Sequence, residues 1–221
     1  MEKYANLIFA SFSSAISIRL LPFLEKIVQP NFLALAIACI IGALTFGILN
    51  FLIDLPKRFK KIRLLLDPIH GIEGYWFEEV ENTPDHPYSY AWIEWNHTTK
   101  SFRYRGINFN QDLTVNARWR SRTITINKSE EKIDFLFEAT VISNRQNVEG
   151  YGTLEFFNPI SGHYHGGTGD FVDSGTKTKR YTLKMERIED DFVKKLIGRK
   201  EIKNEDEVRF IIKEVLKFKQ A

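Results

Sequence analysis

The sequence has little cysteine and little net charge. Its single cysteine, Cys39, lies inside an apolar run, so a disulfide framework and a thiolate-rich zinc site are both excluded. Lys and Arg total 31 against 28 Asp and Glu, which gives a formal net charge of +3. Residues 71–187 mix acids and bases about evenly, whereas proteins that grip long nucleic acids usually carry a broad basic face. We therefore expect no long nucleic acid as a partner.

Recognisable catalytic and metal-binding sets are also missing. The glycine-rich run at 166–169 lacks the Gly-Lys-Ser/Thr ending and the following helix of a phosphate-binding loop, so it predicts a bulged strand. His163 and His165 would share one strand face, but no third ligand stands at a defined spacing. No serine has the surroundings of a nucleophile elbow. We expect a binding protein rather than an enzyme, without a cofactor or a metal.

Charge is absent from one long segment. Residues 31–53 (NFLALAIACIIGALTFGILNFLI) carry no charged side chain, over a length that can cross the hydrocarbon layer as a helix. A buried helix of a soluble protein is the alternative, and the length and uniform apolarity of the run disfavour it. Small residues recur within it and would allow close packing against a second helix; they are Ala36, Gly42, Ala43 and Gly47.

A second apolar segment precedes this one. Residues 4–24 include four serines, Arg19 and then Pro22, and Arg19 is near enough to the end to reach the membrane interface. A cleavable signal peptide is the alternative, but no basic region precedes the run and no convincing cleavage site is followed by a polar start. We predict two spanning helices at about 4–24 and 31–53 within a membrane segment 1–55, joined by a tight loop near 25–30.

The charge after the second span predicts the orientation. Five Lys or Arg lie between Lys57 and Arg63, inside a basic linker that we place at 56–70. Positive charge beside a span stays in the cytoplasm, and an even number of spans puts both termini on one side. We expect a multi-pass protein of the cell inner membrane, with both termini and the domain after residue 70 in the cytoplasm.

Residues 71–188 have the pattern of β-structure. Short runs of Val, Ile, Thr, Tyr, Phe and Trp alternate with Gly, Asn, Asp, Ser and Pro at turn-like spacings. The short links favour an eight-stranded antiparallel up-and-down β-barrel, with a sandwich as the main alternative. Gly74-x-Trp76 resembles the start of lipocalin-type barrels, in which the Trp plugs one end. The predicted strands are 74–81, 87–96, 100–108, 118–127, 132–142, 148–157, 162–173 and 178–187.

Residues 189–221 predict a short helical tail. A helix at 190–197 ends at Gly198, and a second helix follows at 204–219 with Asn204 as its expected N-cap. The second helix carries an apolar stripe formed by Val208, Ile211, Ile212, Val215 and Leu216. This stripe predicts a helix packed on the barrel or on a neighbouring copy. A membrane-surface helix is the alternative, because the opposite face is basic.

The β-domain is rich in aromatic residues interleaved with arginines. Aromatic faces stack on bases and guanidinium groups fork onto phosphates, so the mixture suits a small nucleotide. Arg120 and Arg122 share a face with Ile124 and Ile126, and this face should point inward if no bulge intervenes. Burying an arginine inside the barrel is costly unless an anion or an acidic side chain pairs with it. The alternative is an ordinary aromatic core with arginines that face solvent.

Five short motifs follow one another in a fixed order. They lie at 71–76 (GIEGYW), 104–109 (YRGINF), 119–121 (WRS), 150–156 (GYGTLEF) and 169–173 (GDFVD). With the two apolar segments and the basic junction, they resemble the two-transmembrane β-barrel effectors of bacterial CBASS antiphage systems, also called SMODS-associated 2TM β-strand-rich effectors. The likeness covers roughly residues 1–187. The helical tail departs from the compact pattern of that family and leaves the mode of assembly open.

The resemblance implies a function. In such systems a CD-NTase enzyme makes a cyclic oligonucleotide during phage infection, the barrel binds it, self-association follows, and the spanning helices disrupt the inner membrane. It implies a cyclic di- or trinucleotide ligand, contact with membrane lipids and a homo-oligomer on activation. Trp76 would be a structural plug, and the link at 109–117 would be a lid ordered by the ligand. The expected ligand-binding residues are Tyr104, Trp119, Arg120, Arg122, Tyr151, Tyr164 and His165.

Two other functions stay open at this point. A lipocalin-like barrel could carry or sense a lipid or another apolar molecule, or a filled barrel could only contact partner proteins. The interior discriminates among the three. Inward arginines and tyrosines around a cavity favour a nucleotide, a continuous apolar cavity favours a carrier, and a filled barrel favours a structural role.

Overall fold

The computed structural model describes residues 2–28, 31–81, 83, 85, 87–174 and 179–220. The chain divides into two compact units, Met1–Leu66 and Asp67–Ala221. Part of the predicted loop at 25–30, namely Gln29 and Pro30, lies outside the described residues, as does Thr178 at the predicted start of the eighth strand.

The first unit contains the helices α1 (Glu2–Ile27), α2 (Asn31–Lys57) and α3 (Lys60–Leu66). Two windows, Asn6–Ile27 and Phe32–Leu52, are long and apolar enough to cross a membrane. The core helix of a soluble protein buries such side chains, whereas here most of the large apolar ones are exposed. The predicted pair of N-terminal apolar helices is confirmed.

α1 and α2 pack through small residues. The Ser13 hydroxyl is buried and donates to the Gly42 carbonyl at 2.9 Å. A Cβ on Gly42 would lie 2.2 Å from Ser17 Oγ, so a larger residue at this position would displace the Ser17 hydroxyl. Ala34 and Ala38 are buried on the same row at i, i+4 and i+8 with Gly42.

Only part of the predicted small-residue contact forms. Gly42 is buried against α1, whereas Ala36, Ala43 and Gly47 are exposed. The prediction took together all the small residues that recur in this segment, whatever their position on the helix. The helical repeat instead selects one row of residues four apart, since residues two apart lie on different faces.

The second unit is a closed β-barrel in which each strand pairs antiparallel with the next and the last strand returns to the first. Closure is made by β1 and β8, for example where Tyr75 faces Ile188. The predicted eight-stranded up-and-down barrel is confirmed and the sandwich is excluded. The strands are β1 (Gly74–Glu81), β2 (Tyr88–Asn96), β3 (Ser101–Phe109), β4 (Val115–Asn127), β5 (Lys132–Val141), β6 (Asn147–Ile160), β7 (His163–Asp173) and β8 (Lys179–Ile188).

Period-two alternation places the core inside the barrel. In β5, Ile133, Phe135 and Phe137 are buried, while Asp134 is exposed and Glu138 is partly exposed. The inward residues of the other strands join them in one continuous aromatic and aliphatic cluster. Burial of one face per strand fixes the register, because a slip of one residue would turn the acids inward.

One end of the barrel is closed by a plug. A short 3₁₀ helix at Pro68–Ile72 precedes β1, and the Trp76 indole, which is fully buried, donates to the Ile72 carbonyl at 3.0 Å. The Arg187 guanidinium lies 5.6 Å from the Trp76 ring and donates to the Gly71 carbonyl at 2.8 Å. Trp76 therefore lies beside the 3₁₀ helix at this end of the barrel.

The tail packs on the outside of the barrel. α4 (Asp190–Ile197) ends at Gly198, whose φ of 76° is left-handed, and α5 (Glu205–Gln220) follows. Asn204 caps α5, since its side chain accepts from the Glu207 amide at 3.0 Å. The apolar stripe of α5 and outward side chains of β1–β3 form a second core, which includes Phe77, Tyr90, Ile107, Phe109, Val208, Ile211 and Ile212. The predicted packing on the barrel is confirmed.

The predicted lid at 109–117 is a short turn instead. Phe109 ends β3 and is fully buried, and β4 already begins at Val115. The turn is closed by a backbone bond from the Asn110 amide to the Thr114 carbonyl at 2.9 Å. The lid prediction was therefore wrong, because strand pairing continues further than the turn residues indicated and leaves too little chain to cover the mouth.

Candidate functional site

A β-bulge in β4 decides which way the arginines face. The register between β4 and β5 shifts between Ser121 and Thr123. Inward positions are therefore odd-numbered before the shift, as at Trp119, and even-numbered after it, as at Ile124 and Ile126. Arg120 and Arg122 face outward, with side chains 74% and 55% exposed. The expectation of inward arginines was wrong, because it held only without a bulge.

The barrel wall is incomplete beside this bulge. Among the described residues, the paired register of β3 and β4 runs from Phe109 and Val115 only as far as Arg105 and Arg120. Beyond that point the first residues of β3 and the last residues of β4 separate. A side chain bridges the gap, since the Tyr104 amide donates to Ser121 Oγ at 3.1 Å. Two strand edges therefore stand open next to the arginines.

A depression of about 600 Å³ lies on the outer wall at this gap. Four arginines line it, Arg103 and Arg105 from β3 and Arg120 and Arg122 from β4, together with a single acid, Glu138. We call this the arginine depression. A second depression of about 660 Å³ adjoins it and shares three of these arginines. Its lining adds a fifth arginine, two indoles and two acids, which belong to Arg118, Trp92, Trp119, Glu149 and Glu205.

Ion pairs hold the arginines in place. Arg122 donates to Glu138 at 2.7 Å and lies 2.8 Å from Glu149, and Arg120 donates to the other Glu138 oxygen. The hydrogen bonds from Arg120 and Arg122 hold the pKa of Glu138 below its usual range. Glu138 is therefore ionised near neutral pH and orients both guanidinium groups.

The β3 arginines differ in their surroundings. Arg105 pairs with Glu94 at 2.9 Å, and its guanidinium carbon lies 4.6 Å from the centre of the Trp92 ring. Arg103 is exposed and has no ion-pair partner among the described residues. The depression thus offers one guanidinium outside these ion pairs, with Glu94 opposite it in the β2–β3 register, and an aromatic plane beside another guanidinium.

A different polar group lies inside the barrel. Glu78 is 2% exposed, and the Tyr104 hydroxyl donates a short hydrogen bond to its carboxylate. Burial raises the pKa of Glu78 to about 7, and the Tyr104 bond offsets part of that rise. The Tyr104 ring meets the Trp119 ring edge-on at 4.5 Å, and the Trp119 indole donates to Asn108 at 2.8 Å.

These side chains border a small internal cavity, which we call the Glu78 pocket. Its volume is about 50 Å³, while sites for drug-sized ligands occupy roughly 300–1,000 Å³. The cavity lies toward the end of the barrel opposite the plug, since its outermost lining residues, Asn108, Ala139 and Phe171, stand near the ends of β3, β5 and β7. The rest of the interior is filled by the core.

The seven expected ligand-binding residues do not meet in one place. Tyr104 and Trp119 lie inside, next to Glu78. Tyr164 is also buried, but near the plug end, where its hydroxyl donates to Glu131 at 2.9 Å. The remaining four are on the outer wall or its rim: Arg120 and Arg122 in the arginine depression, Tyr151 at 56% exposure on β6, and His165, whose Nδ1 lies 2.9 Å from Glu189.

Two groups of site residues were missed from the sequence. Glu78 stands two residues after Trp76, so period-two alternation puts it on the same inward face; that spacing was sufficient to find it. Arg103 and Arg105 alternate outward on β3 in the same way. Their approach to Arg120 depends on the β3–β4 register, which no local pattern reveals.

No protein-family model matches the chain, and no curated protein matches it either. The resemblance to the membrane-anchored barrel effectors therefore stays a prediction.

Proposed function

We propose that this chain is a membrane-anchored effector of the CBASS type whose barrel binds a cyclic di- or trinucleotide in the arginine depression. The barrel faces the cytoplasm, where a CD-NTase enzyme supplies the ligand. Binding drives self-association, and the two apolar helices then disrupt the inner membrane. The site is on the outer wall of the barrel rather than in its interior.

The charge of the arginine depression carries the proposal. Arg105 and Arg120 stand directly opposite each other in the β3–β4 register, and like charges in that position destabilise a sheet. Four arginines line the depression, and three acids, Glu94, Glu138 and Glu149, form ion pairs with three of them. A bound polyanion would remove this repulsion, so the site favours a ligand with at least two phosphates.

The shape of the site also suits such a ligand. A volume of about 600 Å³ lies within the range of small-molecule sites. Guanidinium groups bind phosphate oxygens in pairs, and the Trp92 ring under Arg105 adds a surface on which a base can stack. The adjoining depression offers room for a second or third nucleotide.

The interior suits neither a nucleotide nor a lipid. The Glu78 pocket has about 50 Å³, and an acid at its wall repels phosphate. A lipid tail needs a continuous apolar cavity, and this interior is occupied by side chains such as Phe135, Phe156 and Leu154. The lipocalin-like carrier is therefore the weaker proposal.

Binding to full-length protein in detergent tests the proposal. Thermal shift and calorimetric titration with cyclic di-adenylate, cyclic di-guanylate and cyclic tri-adenylate should show stabilisation by at least one of them. Arg120→Ala combined with Arg122→Ala should lower the affinity for that ligand at least about tenfold, since each charge-assisted hydrogen bond contributes about 1.5–3 kcal/mol.

Arg180→Ala is the matched control. Arg180 is an outward arginine of β8, 70% exposed and paired with Asp170 at 3.0 Å, and it lies outside both depressions. This variant should bind like the wild type. Equal weakening by both changes, or no response to any cyclic nucleotide, would contradict the proposal.

A further inference from the structure

We propose that the Glu78 pocket is a second binding site, independent of the arginine depression, and that it takes a small organic cation such as an alkylammonium group. The Glu78 carboxylate is the counter-ion and the surrounding aromatic rings are the walls. The proposal does not depend on the function proposed above.

The surroundings of the Glu78 carboxylate favour the binding of a cation. Glu78 is 2% exposed and lines an internal cavity whose described lining includes no Lys, Arg or His. The Tyr104 hydroxyl donates a hydrogen bond to it, and Ser89 stands opposite it in the β1–β2 register. Both of these side chains are neutral. A buried carboxylate without a cationic partner is costly, so a bound cation would find uncompensated charge here.

The rest of the pocket favours a cation over other ligands. Five aromatic rings line it, and aromatic faces attract cations, most strongly when both are removed from water. A carboxylate or phosphate would be repelled by Glu78. A neutral molecule would gain the apolar contact but would leave the carboxylate uncompensated. The rings belong to Tyr104, Trp119, Phe135, Phe137 and Phe171.

The volume limits the size of the ligand. A single water needs roughly 10–15 Å³ of such volume, so about 50 Å³ admits a group of about three to five non-hydrogen atoms. Methylammonium and tetramethylammonium fall within or near this limit. A cyclic nucleotide does not, which separates this site from the arginine depression.

The test is a titration of full-length protein in detergent at pH 8 with methylammonium and tetramethylammonium chloride. Sodium chloride at equal ionic strength and tert-butanol, a neutral molecule of similar size, are the reference ligands. The wild type should show saturable stabilisation by at least one ammonium ion and less by either reference. The proposal would be overturned if tert-butanol stabilised the protein as strongly as the ammonium ions do. It would also be overturned if neither ammonium ion stabilised the protein more than sodium chloride does.

Variants locate the site. Glu78→Gln keeps the shape of the side chain and a carbonyl acceptor for Tyr104 but removes the charge. It should lower the affinity for the ammonium ion at least tenfold. Glu81→Gln is the matched control, because Glu81 is an outward, exposed acid of the same strand, and it should leave binding unchanged. Unchanged binding in Glu78→Gln would also overturn the proposal. The wild-type comparison with tert-butanol decides the question even if a variant does not fold.

Discussion

At the scale of single residues, Glu78 is the most unusual group in the barrel. It stands on the inward face of β1 between the apolar residues Trp76 and Val80, and the neutral side chain of Ser89 lies opposite it in the β1–β2 register. The Tyr104 hydroxyl is its hydrogen-bond donor. Desolvation disfavours the ionised form, and for that reason the pKa of this carboxyl is raised to about 7.

This pKa predicts a pH dependence of stability. Below about pH 4.5 the carboxyl is protonated in both folded and unfolded protein. Between about 4.5 and 7 the folded protein holds the proton more tightly, so the free energy of unfolding falls as pH rises. Above pH 7 the full loss is about 3 kcal/mol, at 1.36 kcal/mol per pKa unit.

Denaturant unfolding at pH 5 and pH 8, followed by tryptophan fluorescence, measures this effect. Glu78→Gln should be more stable relative to the wild type at pH 8 than at pH 5, by about 2.5 kcal/mol, because a small part of the loss is already present at pH 5. The difference between the two proteins cancels all other titrating groups. A constant difference at both pH values would show that Glu78 has an ordinary pKa.

At the scale of elements, runs of β-branched and aromatic residues separated by turn residues were sufficient to predict all eight strands. The bulge at Ser121 and Thr123 was not predicted, because the inward face was read from Ile124 and Ile126 alone and Trp119, which faces inward before the bulge, was not compared with them. The positions of Arg120 and Arg122 were wrong for that reason alone. The gap between β3 and β4 was also beyond prediction, since it depends on pairing between distant residues.

The packing of α5 on the barrel gives a prediction at this scale. Ile211 is fully buried in the core between α5 and the outer barrel wall. Ile211→Ala should lower the free energy of unfolding by about 2–4 kcal/mol, through lost transfer energy and the cavity left behind. Lys213→Ala, on the exposed side of the same helix, should change it by about 0.5 kcal/mol or less. Equal effects in denaturant unfolding would show that α5 does not pack as described.

At the scale of the whole molecule, the division into an apolar helical hairpin and a closed barrel followed directly from hydropathy and strand pattern. The ligand site did not, because the expected residues were collected by type and then divided by the fold between interior and outer wall. Tyr104 and Trp119 now belong to the Glu78 pocket, and Arg120 and Arg122 to the arginine depression.

Dye release from lipid vesicles is the measurement that tests the proposed function most directly. Vesicles of bacterial lipid composition would carry the full-length protein with its barrel outside, and the binding cyclic nucleotide would be added at increasing concentration. We predict release that depends on the ligand for the wild type and for Arg180→Ala. The combined Arg120→Ala and Arg122→Ala variant should need at least about tenfold more ligand. Release that is independent of ligand, or equal in all three proteins, would contradict the account.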